Sequence, residues 1–181
     1  MALRIGCDLD GTIADMSAAL QREAAALFGP EVDLRTGIGV PAEPPAEAEA
    51  NEFTDPPDGT AAAQPVSARR GLTTREYRQL WTRALRIENF WETLEEVEPG
   101  SVRRLFDAAA RHGWEIIFLT RRPASAGETA QRQTQRWLAA HGFEFPSVFV
   151  VERSRGLIAA SLDLDAIVDD RPENCLDVAS D

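Results

Sequence analysis

The sequence predicts an α/β fold, a parallel sheet flanked by helices, on three observations. Short apolar runs alternate with helix-patterned segments through the second half: "WEIIFLT", "SVFVV" and "AIVDD" are separated by "GETAQRQTQRWLAAHG" and "GLIAASLDL". The runs are continuous rather than alternating, the pattern of strands covered on both faces, as parallel sheets require. A similar run, "LRIGC", opens the chain and ends on Asp8, so polar residues gather where strands stop.

Taken in order, residues 3–7 form the first strand, and Ile13, Met16, Leu20 and Leu27 follow at helical spacing up to "FGP". Composition then shifts. Residues 37–70 hold six of the 11 prolines, many alanines and acidic groups, and few large apolar side chains. Such a stretch buries too little surface to offset its ordering entropy, so a flexible insert is expected there. Order resumes with Thr73 and Glu76 at capping-box spacing, and Tyr77, Leu80, Trp81, Ala84 and Leu85 make one apolar stripe. Residues 98–113 read as a helix with Pro99 near its start and Gly113 past its end. Strands at 114–120, 147–151 and 166–170 then alternate with helices at 127–142 and in "GLIAASLDL", and Pro172 opens a last helix. His112 and His141, each just ahead of a helix-ending glycine, read as C-terminal caps.

Composition bounds the function. A chain of 181 residues supports one domain with a small insert. The balance of 19 Lys+Arg against 30 Asp+Glu, net −11, argues against a nucleic-acid backbone or an anionic membrane as partner. Two cysteines make no disulfide framework, and Cys7 reads as a buried small hydrophobe. No apolar run approaches membrane-spanning length, and Asp8 interrupts any signal-peptide core, so a cytoplasmic setting is expected. The sequence is silent on oligomeric state and is compatible with a homodimer.

Ligands of open parallel sheets gather outside the carboxyl ends of the strands. Those ends carry Asp8-Leu9-Asp10-Gly11-Thr12, Thr120-Arg121-Arg122, Glu152-Arg153-Ser154-Arg155 and Asp169-Asp170-Arg171. Carboxylates brought together there need a counter-cation, and hard oxygen ligands suit Mg²⁺. A lone D-x-D-G also suits a simple turn after a strand. Its agreement with three later strand ends favours chemistry.

These four signals, in this order and spacing, resemble the motifs of the haloacid dehalogenase (HAD) superfamily of phosphatases, over residues 3–14 and 99–177. "NFWETLEEVEPGSVRRL" and "IVDDRPENC" resemble more closely its type C cytosolic 5'-nucleotidase, or 5'(3')-deoxyribonucleotidase, branch. The resemblance implies a Rossmann-like core, residues 1–14 and 99–181, with residues 15–98 as a small helical cap. It implies that Asp8 is the nucleophile and Asp10 the general acid and base, with Thr120 and the Arg121 backbone N–H holding phosphoryl oxygens. It further implies Mg²⁺ held by Asp8, the Asp10 carbonyl, Asp169 and Asp170. Where the family carries a lysine ahead of a helix this chain offers Arg155, with Arg153 second, and a solvated helix start is the competing reading. Phe90 and Trp91 are expected to face a nucleoside, or else to pack between insert and core. The chain stops 11 residues after Asp170, where the family adds another strand, so either a smaller sheet or a truncated sequence is expected.

The expected activity is therefore phosphomonoester hydrolysis of a small phosphorylated metabolite, first of all a (deoxy)nucleoside monophosphate. The alternatives are the same chemistry on another small ester, or a non-catalytic relative that binds metal or phosphate. A sugar-nucleotide transferase using D-x-D leaves Thr120 and Asp169-Asp170 unexplained.

Overall fold

A computed structural model describes residues 2–35, 70–151 and 154–180. The Pro/Ala-rich stretch expected to be flexible lies outside the described residues except for Arg70, as do Glu152 and Arg153. The elements are β1 (Arg4–Asp8), α1 (Met16–Phe28), α2 (Thr74–Ala84), a 3-10 turn (Phe90–Glu92), α3 (Ser101–His112), β2 (Glu115–Thr120), α4 (Ala130–Ala140), β3 (Ser147–Val150), α5 (Arg155–Ser161), β4 (Ala166–Val168) and α6 (Pro172–Ser180). All four strands are parallel, in the order β3-β2-β1-β4. The fold class expected from the alternation of runs is the one observed.

The sheet's centre and edges differ. Residues 116–120 of β2 and the last three of β1 are buried, as continuous apolar runs require. The edge strands depart from that pattern: Phe149 in β3 is 41% exposed and Val168 in β4 is 50% exposed. The run "AIVDD" also ends as a strand at Val168, so Asp169 and Asp170 follow the sheet rather than belong to it.

Helix boundaries follow local chemistry. Thr73 caps α2 through the Glu76 backbone N–H, while the Glu76 carboxylate accepts from Thr73 N at 2.9 Å, closing the capping box. Tyr77, Leu80, Trp81 and Ala84 are buried on one face of α2, with Leu85 half-buried beyond it. Gly113 ends α3 at φ 67°, a conformation that favours glycine. At the end of α4, His141 Nδ1 lies 2.7 Å from the Trp137 carbonyl oxygen.

The segment after β1 and the segment before α3 meet as a short antiparallel pair. Asp15 N donates to Glu95 O at 2.8 Å and Val97 N to Ile13 O at 2.9 Å. Between these two crossing points the described chain contributes α1 and α2, which pack on each other. No helix among the described residues is long and apolar enough to cross a membrane.

Candidate active site

Strand register assembles the site. Asp8 lies opposite Leu119 of β2, one residue short of Thr120, while Cys7 lies opposite Val168 of β4. Asp169, the residue after Val168, is thus brought beside Asp8. Side chains alternate past β1: Leu9 turns into the core with no exposure, while Asp8 and Asp10 both reach the polar end. The chain then reverses, with Thr12, Ile13 and Ala14 all donating backbone N–H to the Leu9 carbonyl. Gly11 makes that reversal at φ 94°, and a Cβ there would collide with the Asp170 carboxylate. Only glycine allows both the backbone and the close approach.

Asp8 is 3% exposed. Its Oδ1 accepts from Arg155 Nη2 at 2.6 Å and its Oδ2 from Thr12 Oγ1 at 3.4 Å. Burial pushes its carboxyl up to about 7; Arg155 opposes that rise, and the charges of Asp10 and Asp169 add to it. The second nitrogen of the Arg155 fork, Nη1, is paired with Asp169 Oδ2. One guanidinium therefore bridges the two carboxylates that β1 and β4 deliver.

Asp169 is held from several sides. Its Oδ1 accepts from the Arg171 backbone N–H and from Asn174 Nδ2, both at 2.9 Å, and Asn174 also reaches Oδ2 at 3.1 Å. Asp170, more exposed, has its carboxyl pushed up by partial burial and by the Asp169 charge. Arg155 is aimed by the start of α5, where Asp177 of α6 accepts from Ser154 Oγ at 2.8 Å and Gly156 N at 2.9 Å. Those two bonds, to a hydroxyl and a backbone N–H, hold the Asp177 carboxyl below the usual range.

Asp10 sits in a different environment. Its Oδ1 accepts from Arg122 Nη2 at 2.7 Å and Nε at 3.2 Å; its Oδ2 accepts from Nε at 2.9 Å and from Thr120 Oγ1 at 3.0 Å. The Arg122 side chain is fully buried, donates from Nη1 to Thr134 Oγ1 at 2.9 Å, and lies 5.0 Å over the Trp91 ring.

Oxygens of Asp8, Asp169 and Asp170 all lie within 4.8 Å of one another, a set that could hold a metal ion. The donors are all carboxylates, which suits a hard divalent cation.

The structure thus brings together Asp8, Asp10, Thr120, Arg155, Asp169 and Asp170. Arg155 is no solvated helix start: its side chain is 11% exposed and both arms are engaged. Thr120 directs its hydroxyl to Asp10, and the Arg121 side chain is exposed. The expected nucleoside-facing aromatic pair is placed otherwise. Phe90 and Trp91 are 1% and 0% exposed, with Trp91 packed against Phe90 at 4.9 Å, Trp81 at 6.4 Å and Arg122. Neither ring offers an open face, so packing between insert and core is what this arrangement shows.

Two signals went unread in the sequence. Arg122 lies two residues beyond Thr120, so continuing the strand's period of two places it on the same side as Thr120. All 19 basic side chains are arginines, and the chain has no lysine at all. An arginine at position 155 therefore follows a chain-wide usage and is no local departure.

No family model and no curated protein matches this sequence. Among solved structures the fold is similar to that of a haloacid dehalogenase-like family hydrolase from Xanthomonas campestris, at 15% identity and a TM-score of 0.41, over 90% of this chain and 70% of that one.

Proposed function

We propose that this chain is a metal-dependent phosphomonoesterase of the HAD type, working through an aspartyl-phosphate on Asp8. The observation that carries the reading is the junction of Asp8 with Asp169 and Asp170. A buried carboxylate at a strand end, bridged by an arginine to a second carboxylate, is a costly arrangement to keep without a charged ligand. The order of the four strand-end motifs supports the same reading.

In this mechanism an Asp8 oxygen attacks phosphorus, forming the Asp8–P bond as the bond to the ester oxygen breaks. Asp10, protonated at that stage, gives its proton to the departing alkoxide and becomes a carboxylate. In the second step Asp10 takes a proton from water as the water oxygen attacks phosphorus, the Asp8–P bond breaks, and free phosphate leaves. Arg155 keeps Asp8 oriented and faces the transferred group with positive charge. A divalent cation such as Mg²⁺, held by Asp8, Asp169 and Asp170, would screen the nucleophile from the phosphate's charge. Residues 15–98, joined to the core at the Ile13–Asp15 and Glu95–Val97 crossing, would act as the cap that selects the leaving group.

Within small phosphate esters, a (deoxy)nucleoside 5'-monophosphate is the first substrate class to examine, on the resemblance of residues 89–105 and 167–175 alone. Stacking on Phe90 and Trp91 forms no part of this reading.

The test is phosphate release from an aryl phosphate and a nucleotide panel, with Mg²⁺ or chelator, beside Asp8→Asn. Chelator-sensitive release absent from Asp8→Asn is the expected result. No release above that control would sink the enzyme reading and leave a phosphate-binding relative, which the Arg155 bridge also suits. Release from other esters but not from nucleotides would keep the chemistry and overturn the branch.

A further inference from the structure

We propose that Arg122 is the positioning residue for Asp10, fixing the plane in which its carboxyl group meets the leaving group, and that Thr134 and Trp91 hold Arg122 to that task. The inference rests on the phosphomonoesterase reading above and adds a residue to it.

An aspartate carboxyl has a broad torsion about its last bond, so on a strand-end loop the plane of the group can turn freely. Here the plane is set. Arg122 Nη2 and Nε reach Oδ1, Nε also reaches Oδ2, and Thr120 Oγ1 donates to Oδ2 from the end of the neighbouring strand β2. Turning the carboxyl out of this plane would break all four contacts, while a half-turn only exchanges two equivalent oxygens. A guanidinium fork imposes this geometry where a point-charge ammonium does not.

The clamp is itself clamped. Thr134 gives its own hydroxyl proton to the Ala130 carbonyl at 2.7 Å, so its oxygen is left to accept from Arg122 Nη1. Trp91, which covers the guanidinium face, is tied by Nε1 to Pro123 O at 3.0 Å and by its backbone N–H to Gln133 Oε1 at 3.0 Å. Gln133 is fully buried and holds the loop after β2 through Ser125 Oγ and Glu128 O. Arg122 thus has no exposed side-chain surface and, among the described residues, no ion-pair partner other than Asp10. A purely structural ion pair would not need to end on the one carboxylate that moves the proton.

The discriminating measurement is leaving-group dependence. Proton delivery matters most when the departing oxygen is basic, as in an alkyl phosphate, and least for p-nitrophenyl phosphate. Arg122→Met keeps volume and removes the fork. It is expected to lower kcat/KM at least ~100-fold on an alkyl phosphate but under ~10-fold on p-nitrophenyl phosphate, within the range general acid catalysis supplies. Arg122→Lys should fall between, because the charge stays and the fork goes. Combining Arg122→Met with Asp10→Asn should cost no more than Asp10→Asn alone. If Arg122→Met fails to fold, Thr134→Val tests the same chain of contacts and should steepen the leaving-group dependence with the same sign. Equal losses on all substrates, or unchanged kinetics in a folded Arg122→Met, would overturn the proposal while leaving the phosphatase reading intact. A wild-type protein that releases phosphate from no ester overturns both.

Discussion

The two sides of the site are anchored by opposite means. Asp8 and Asp10 leave β1, which is hydrogen-bonded to strands on both sides and buried over its last three residues. Asp169 and Asp170 leave β4, a three-residue edge strand whose Ala166 and Val168 are exposed. Apolar burial positions the backbone of the first pair, and Arg155 and Arg122 then orient its carboxylates. Polar contacts position the second: Asn174, the Arg171 backbone N–H and Arg155 hold Asp169, and Asp177 holds the helix start that aims Arg155. Packing gives a position that single substitutions at the surface barely move. A hydrogen-bonded position can be loosened one contact at a time, so the two sides should respond differently to mutation.

The sharpest break comes on the buried side. Asp8→Asn should abolish phosphate release, by at least ~10³-fold, because no other carboxylate can take over the nucleophile's place. It should do so without unfolding the protein, since a neutral amide at a desolvated site is tolerated where a charge is disfavoured. Residual activity within tenfold of wild type, in steady-state phosphate release, would remove Asp8 from its role.

Arg155 spans both sides, so its loss should rank next. Arg155→Gln leaves Asp8 and Asp169 facing each other without their shared cation, and a loss of ~10²-fold or more in kcat/KM is expected. Arg155→Lys restores one charge but cannot reach both carboxylates as a fork. It should recover part of that loss. Full recovery would mean that charge alone matters at this position, and no recovery that the two-armed geometry does.

Asn174→Ala probes the polar side by itself. Asp169 would lose two of its hydrogen bonds while Asp8 is untouched. Partners that orient a metal-ligating carboxylate typically change affinity 10–100-fold when removed. The expected outcome is a shift of that size in the Mg²⁺ concentration for half-maximal activity, mirrored in calorimetric Mg²⁺ binding, with kcat at saturating metal near wild type. An equal fall in kcat would place Asn174 nearer the chemistry than the contacts indicate.

The same contrast explains which parts were legible in the sequence. The β1 and β2 runs read clearly because both faces of those strands are covered, so nothing but apolar residues fits from Ile116 to Leu119. Asp8, Asp10, Thr120, Asp169 and Asp170 followed from where runs stop. Arg122 did not, because a run of two arginines after a strand looks like solvent-facing charge until the strand's period of two is carried past its end. For Phe90 and Trp91 the resemblance points to a nucleoside and the residue types to packing; the choice falls to packing because Trp91 meets Gln133, Pro123 and Arg122, partners distant in sequence that no local pattern reports. Asn174 and Asp177 resemble ordinary helix-surface polar residues; the turn from β4 into α6 brings Asn174 to Asp169, and the packing of α5 on α6 brings Asp177 to Ser154 and Gly156.

A third anchor, remote from the catalytic carboxylates, calibrates what polar contacts alone contribute. At the start of α2, Glu76 accepts from Thr73 N and Oγ1 at 2.9 Å and is paired with Arg70 at 2.9 Å. The Arg70 hydrogen bonds hold its carboxyl down to about 2 from an ordinary 4.5, against the opposing effect of partial burial. A depressed folded value means stability that is fully present above pH 4.5 and is lost as pH falls towards 2. Arg70 is 42% exposed, so solvent screening limits the ion pair, and the whole cap is worth about 1 kcal/mol. Glu76→Gln should therefore melt slightly lower than wild type at pH 7 and converge with it as pH is lowered from 4.5 to 2. Parallel melting curves across that window would show that the Glu76 carboxylate contributes nothing as a charge. A polar anchor would then have to be judged by its hydrogen bonds alone, at Asp169 as well as in α2.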